Sequence, residues 1–416
     1  MDIKIYAICV LLIIGQVTGA SWYNRISESF RNLWGKPAGC NLSLKEDFGS
    51  PSPVFVRNGE FLEPDASGSI TLRRSETLQI SCPGNKRFIV LGNDTTAFNV
   101  FNVKCVKDST FRASKTSWVG SLKEIKCNGP PWFTTEENGS CYGRHKLYKV
   151  GYKIENTFHS LYEACFDKEL LHTVYVKQIL QPNSIYTQYG SRPQFIEGDL
   201  FGKTKMSKLY KASYQKDRLR QILGDGMEEK YVTKTQFLSR GHLAPRADFS
   251  LLAEQRASFH YVNTAPQWQR GNAGDWAALE DAVRRRVNSY GASLTVYTGT
   301  YGVMTLADKS SNLKEYYLDM DANNNGVLPV PMYFYKIVHD PVKQTAAAFI
   351  SINSSYYNKT MLDNLSFCGD ICEQNPKYSW LRWRSNDGTH SFCCTYQDFV
   401  ETINVLPKLS VKGEFY

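Results

Sequence analysis

The chain has 416 residues, with 49 Lys and Arg against 40 Asp and Glu, a formal net charge of +9. That length allows two domains, and the charge favours a polyanionic partner without naming one. Beyond the N-terminus no run reaches the roughly eighteen apolar residues of a membrane helix, and there is no internal repeat, low-complexity tract or phosphate-binding glycine loop.

The N-terminus reads as a secretory signal over residues 1–20. Lys4 supplies positive charge, Ile5 to Ile14 form a short apolar core, and Thr18-Gly19-Ala20 offer small residues for cleavage before Ser21. From residue 21 to 130, short polar–apolar alternations such as Thr77–Ser81 and Arg87–Val90 are separated by turns such as Gly49-Ser50-Pro51-Ser52-Pro53. That pattern predicts a small β-rich module. Residues 131–139, following Gly129-Pro130, read as a linker. The remainder, 140–416, mixes predicted strands (Leu294–Tyr297, Tyr333–Val338, Ala346–Ile352) with predicted helices (Leu251–Ser258, Asp275–Ser289). Its fold class is α+β.

Eleven cysteines are present, and Cys9 falls in the leader. The even remainder suits an oxidising compartment and disulfides. Cys141 should pair with Cys165, because the two flank one short segment. Cys368 and Cys372 should pair with Cys393 and Cys394. Reading the last four with His390 as a zinc site is weaker, since secreted thiols oxidise and the spacing is poor. Sequons at Asn41, Asn93, Asn138, Asn353, Asn358 and Asn364 also fit secretion. Asp321-x-Asn323-x-Asn325-Gly326 imitates the start of a calcium loop. Its twelfth position is Met332 rather than Glu, so a polar turn is expected.

The stretch from Lys203 to Arg220 is dense in charge: Lys203, Lys205, Lys208, Lys211, Lys216, Arg218 and Arg220 against Asp217 alone, with Tyr210 and Tyr214 interleaved. It is either a solvated helix face or a surface that tracks phosphates.

The most informative segment comes next. Leu238–Asp248 reads LSRGHLAPRAD, and Asn263–Asp281 reads NTAPQWQRGNAGDWAALED. His242 can take a proton near neutral pH. Gly241 permits a close backbone approach that a Cβ would hinder. Arg240 can present paired donors to a phosphate. If a helix starts near Gly274, Glu280 lies about two turns in, Arg284 lies one turn further on the same face, and Trp276, Leu279, Val283 and Val287 form its buried stripe. Each residue alone would pass as a structural or solvated side chain. Their joint register is what points to a site.

Together these stretches resemble the signature of the DNA/RNA non-specific endonucleases, the ββα-metal or His-Me finger family, and within it the secreted arthropod double-strand nucleases. The resemblance implies a core with a mixed, mainly antiparallel sheet and flanking helices. It makes His242 the general base, Asn272 the direct ligand of Mg²⁺ (or Mn²⁺) and Glu280 a water-mediated one. Arg240 and Arg284 become phosphate stabilisers, and Asn263 and Gln267 polar groups lining the site. With Lys203, Lys205 and Lys208 as backbone contacts, it describes a secreted, Mg²⁺-dependent endonuclease with little sequence preference. Such an enzyme leaves 5′-phosphate ends on double-stranded DNA, RNA or both. No membrane or obligate protein partner is implied. The first motif position is Ser239, where many members carry Asp. The alternative is a catalytically silent extracellular nucleic-acid-binding protein.

Overall fold

The computed structural model describes residues 39–373, 375–384 and 389–416. The expected signal peptide lies outside them. The first part of the chain is all β. Six strands pair antiparallel in the spatial order Val119–Ser121, Thr110–Ala113, Val100–Lys107, Thr77–Ser81, Val54–Arg57, Glu60–Phe61. Alternation in Thr77–Ser81 and Val100–Lys107 sends Leu78, Ile80, Phe101 and Val103 into a core of their own. Disulfides Cys40–Cys105 and Cys82–Cys127 staple it.

The second part is built on a nine-stranded sheet. Eight strands run antiparallel in the order Thr134–Ser140, Lys146–Ile154, Thr157–Asp167, His172–Leu180, Leu294–Val303, Pro331–Asp340, Thr345–Ile352 and His390–Cys394. Gly413–Glu414 adds a parallel strand beside Thr345–Ile352. Along Pro331–Asp340 the side chains divide by parity. Phe334 and Val338 face the larger core, while Tyr333, Tyr335 and Ile337 face a second one. The sheet is therefore covered on both faces, which explains the long apolar runs in its central strands.

The expected linker is corrected. Thr134–Ser140 is the outermost strand of the large sheet, paired with Lys146–Ile154. Its side chains are almost all exposed, so no apolar alternation marks it; backbone pairing holds it, helped by Lys146 on Glu137 and Asn138 on Glu163. The all-β part docks on the rest through specific contacts. Gln188 Nε2 donates to the Leu44 carbonyl, Asn183 to that of Pro64, and Tyr186 to that of Ala66. Leu251 is buried in the first part's core.

The basic stretch is not one continuous face. It forms two helices, Met206–Leu209 and Ala212–Leu223. Lys216 pairs with Glu229, Arg220 with Asp217 and Glu228, and Arg218 donates to the Tyr317 carbonyl. Lys203, Lys205, Lys208 and Lys211 stay exposed. The calcium-loop imitation is a turn between the paired strands Tyr317–Met320 and Gly326–Pro329, with Asp321 accepting from the Asn323 and Asn325 amides.

Candidate active site

Two short antiparallel strands and a helix build the site. Strand β1, Leu238–His242, pairs with strand β2, Thr264–Trp268, placing His242 opposite Thr264. A short helical turn, Gln269–Ala273, leads from β2 into helix α1, Asp275–Tyr290. The helix buries Trp276, Leu279, Val283 and Val287. Gly291, in the left-handed conformation at φ 74°, ends it.

The ββ unit needs glycine at its centre. A Cβ on Gly241 would lie 2.4 Å from Gln267 Oε1 and 2.8 Å from Gln267 Cβ across the ladder. Asn353 fixes β2 from outside: its Oδ1 accepts from the Trp268 amide, and its Nδ2 donates to the Pro266 and Pro331 carbonyls. It is buried, so this sequon offers no attachment point for a glycan in the folded chain, contrary to the sequence expectation.

A cavity of about 490 Å³ opens on this unit, with Arg240, His242, Asn272 and Glu280 together on its lining. His242 is 9% exposed, wedged between Phe195 and Phe259, with ring centroids at 5.1 and 5.0 Å. Its Nε2 is enclosed without a hydrogen-bond partner among the described residues. Burial, reinforced by the Arg192 and Arg246 charges, lowers its pKa from 6.5 to about 3, which keeps the imidazole neutral at a cost in basicity. His260 is the structural contrast. Burial lowers it as far, but its Nδ1 is occupied, accepting from the Val262 amide.

The Arg240 guanidinium is packed among Tyr210, Phe195 and Tyr261, with centroids at 4.9, 5.5 and 5.5 Å, and its Nε donates to the Tyr261 hydroxyl. The aromatic cage fixes its direction while it lines the cleft. Asn272 Nδ2 donates to Ser239 Oγ at 2.9 Å, and Ser239 Oγ donates to the Gln267 carbonyl at 2.9 Å. Asn272 Oδ1 receives no protein donor among the described residues. It is a hard amide oxygen on the cleft wall, with the Glu280 carboxyl on the same lining. These donors suit a divalent hard cation that keeps most of its waters.

Glu280 is partly buried, and burial raises its pKa to about 7, against the pull of Lys336 and with a push from Asp248. Beneath it lies an ionic cluster. Lys336 is buried and donates to Thr298 Oγ1. Asp248 accepts from Arg284 at 2.9 Å and from Gln178.

Three expectations are corrected here. Asn263 is fully buried: its Oδ1 accepts from the Ala244 amide, and its Nδ2 donates to the Ala244 and Ser258 carbonyls. It shapes the loop after His242 and does not line the cleft. Gln267 is also buried, packed on Gly241. Arg284 is turned into the ion pair with Asp248 and is absent from the cleft lining. Lys203, Lys205 and Lys208 lie outside that lining too. Conversely, Arg192 and Arg246 line the cleft and were not singled out by sequence. Arg192 comes near His242 only through tertiary folding, whereas Arg246 stands within the LAPRAD stretch that follows it. Tyr189, 88% exposed, forms part of the rim.

All ten described cysteines are disulfide-bonded, including Cys141–Cys165, Cys368–Cys394 and Cys372–Cys393. Asp370, Cys372 and Cys393 lie close enough together to suggest a metal centre. Because Cys372 and Cys393 are bonded to each other, they offer no thiolates to zinc.

Two antiparallel strands feeding a helix, with a neutral histidine and a free amide oxygen facing one cleft, are the frame of a ββα-metal nuclease. The sequence profile of the DNA/RNA non-specific endonucleases matches residues 143–398, more than half of the chain. A salivary endonuclease of Lutzomyia longipalpis is 31% identical over 389 residues, covering 91% of this chain and 86% of its own. The salivary protein Tsal2A of Glossina morsitans morsitans is 24% identical, covering 90% and 94%. A salivary endonuclease of Culex quinquefasciatus is 22% identical, covering 83% and 88%. The chain belongs to the DNA/RNA non-specific endonuclease family and is a nuclease.

Proposed function

We propose that the protein is a secreted, Mg²⁺-dependent endonuclease that hydrolyses phosphodiester bonds of double-stranded DNA, RNA or both with little base preference, leaving 5′-phosphate and 3′-hydroxyl ends. The observation that carries this reading is the neutral, unpartnered His242 on the same cleft as the fixed amide of Asn272. His242 takes a proton from the attacking water. Arg240, held by its aromatic cage, donates to the non-bridging oxygens of the scissile phosphate, and Arg192 and Arg246 on the same lining add positive potential. Asn272 Oδ1 would hold the cation, with Glu280 bonding its waters. When bound, Mg²⁺ supplies charge stabilisation to the leaving oxygen.

Secretion rests on the N-terminal leader and the five disulfides. No helix among the described residues is long and apolar enough to cross a membrane. Low base preference rests on the lining of the cleft, whose charged and amide groups suit phosphate.

The test is cleavage of plasmid DNA and of duplex RNA with Mg²⁺, with Mn²⁺ and with EDTA, for the natural chain and His242→Ala. Metal-dependent cleavage that falls about 10²–10⁴-fold in the variant, with nucleic-acid binding retained, is the expected result. Equal turnover by His242→Ala overturns the assignment of the base. A natural chain that binds duplexes but never cuts them supports the silent-binder alternative.

A further inference from the structure

The active-site cleft does not end at its rim. Beyond Gly190, Arg246 and Gln255, which line both spaces, it continues into a second groove of about 210 Å³. One wall of that groove comes from the all-β part of the chain, through Ser50, Pro51, Ser52, Pro130 and Pro131. The other carries Arg246 and Arg256, and the lining contains no carboxylate. Arg246 is braced: its Nε donates to Gln255 and its Nη2 to the Gly190 carbonyl. Arg256 has no ion-pair partner among the described residues, and its Nε is buried without an acceptor.

The ridge between the two spaces is the loop from Gln188 to Arg192. Gln188 anchors it on both sides. Its Nε2 donates to the Leu44 carbonyl in the all-β part, and its Oε1 accepts from the Leu252 amide. Its own backbone amide donates to Ser250, and its carbonyl accepts from Gln255. The ridge that carries Tyr189 and Arg192 is thereby tied to the N-terminal part and to the helix bearing Gln255 and Arg256.

We infer that the N-terminal part is a working piece of the substrate-binding surface: the second groove holds the sugar–phosphate backbone of nucleic acid a few nucleotides from the scissile bond, and the exposed Ser50 and Pro130 contact that backbone together with Arg256. The inference rests on the phosphodiester-cleaving reading of the cleft. Its support is the continuity of the two spaces, the shared Arg246, and a cationic lining complementary to a polyanion. It also gives the N-terminal part a role that a purely structural appendage would not have.

The experiment uses the full-length protein and two substrates. One is bis-p-nitrophenyl phosphate, which is small enough to occupy the cleft alone. The other is a long duplex, which must also cross the groove. Three variants are compared: Arg256→Ala, Ser50→Glu and Ser50→Lys. Arg256→Ala and Ser50→Glu should raise KM for the duplex and leave kcat, and hydrolysis of the small diester, unchanged. Ser50→Lys should lower the duplex KM. Removal of the Arg256 charge should also reduce the slope of log affinity against log salt by about one. Unchanged duplex KM in Arg256→Ala and Ser50→Glu overturns the inference, as does equal impairment by Ser50→Glu and Ser50→Lys, which would mark a structural role. A natural chain inactive on both substrates removes the nuclease reading itself.

Discussion

The amide nitrogen of Asn272 donates to the hydroxyl of Ser239, and that hydroxyl donates onward to the backbone carbonyl of Gln267 in the neighbouring strand. This relay fixes which end of the amide meets the cleft. It also explains how Ser serves at a position where a carboxylate is common: the requirement is an acceptor for Nδ2, and a hydroxyl anchored by β2 meets it.

If that relay orients the cation ligand, Ser239→Ala should raise the Mg²⁺ concentration for half-maximal cleavage several-fold while kcat at saturating Mg²⁺ changes little. Ser239→Asp should stay near the natural value, and Asn272→Ala should shift furthest. A metal titration of cleavage rate decides it. An unchanged Mg²⁺ requirement in Ser239→Ala would show that the amide is oriented by something else.

Arg284 separates a scaffold role from a substrate role. Its side chain is 12% exposed and its partner Asp248 5%. Removing one partner of a buried ion pair typically costs about 3–5 kcal/mol, because the other charge is left uncompensated. Arg284→Ala should therefore unfold at markedly lower urea, and Asp248→Asn should be destabilised through the same pair. Measured stability equal to the natural chain, together with a raised KM, would return Arg284 to the phosphate.

The sequence made helix α1 legible from Asp275 almost to its end, because an amphipathic stripe and a terminal Gly are local signals. The strands Leu294–Val303, Pro331–Asp340 and Thr345–Ile352 were legible at their apolar centres for the same reason. The edge strand Thr134–Ser140 was hidden, since its exposed side chains encode nothing about pairing. In the site, the motif spacing brought His242, Arg240, Asn272 and Glu280 onto one cleft. The inward turn of Asn263, Gln267 and Arg284 was not legible. Spacing says which residues are near, whereas orientation depends on partners far along the chain, such as Ala244 and Asp248. Arg192, Lys336 and Asn353 reach the site entirely through such long-range contacts.

The exposed lysines provide a test of long-range electrostatics. Lys203, Lys205 and Lys208 lie off the cleft, and Lys205 is 4.0 Å from Glu197, too loose a pair to neutralise it. Converting all three to Gln should weaken binding to every sequence alike and flatten the salt dependence of affinity, by about one in slope for each phosphate that is no longer neutralised. Duplexes of varied sequence, titrated at several salt concentrations, give the answer. Weakening confined to particular sequences would point to base reading instead. The duplex preference itself would fall if single strands were cut faster than duplexes at equal salt; Tyr189 on the rim is the residue to examine in that case, since Trp268 and Trp276 are both buried.

Buried, neutral histidines make stability depend on pH in a defined direction. His242 and His260 are each lowered from 6.5 to about 3 by burial. Above 6.5 they are neutral in the folded and unfolded chain alike, and they contribute no slope. As pH falls from about 6.5 toward 3, the unfolded chain takes up protons that the folded chain refuses, so stability drops by up to about 1.4 kcal/mol per pH unit for each histidine. Replacing His242 with Asn should remove one proton's worth of that slope, leaving in place the contributions of His260, of His172, which burial lowers to about 4, and of the carboxylates. Urea unfolding of the natural chain and of His242→Asn at several values between about pH 6 and pH 4 measures the difference. In parallel, the imidazole proton resonances of His242 should keep their neutral positions down to about pH 5. Identical slopes in the two proteins, or a His242 resonance that titrates near 6.5, would show that the ring is solvated and charged in the acid range, and the enclosed setting of His242 between Phe195 and Phe259 would fall with it.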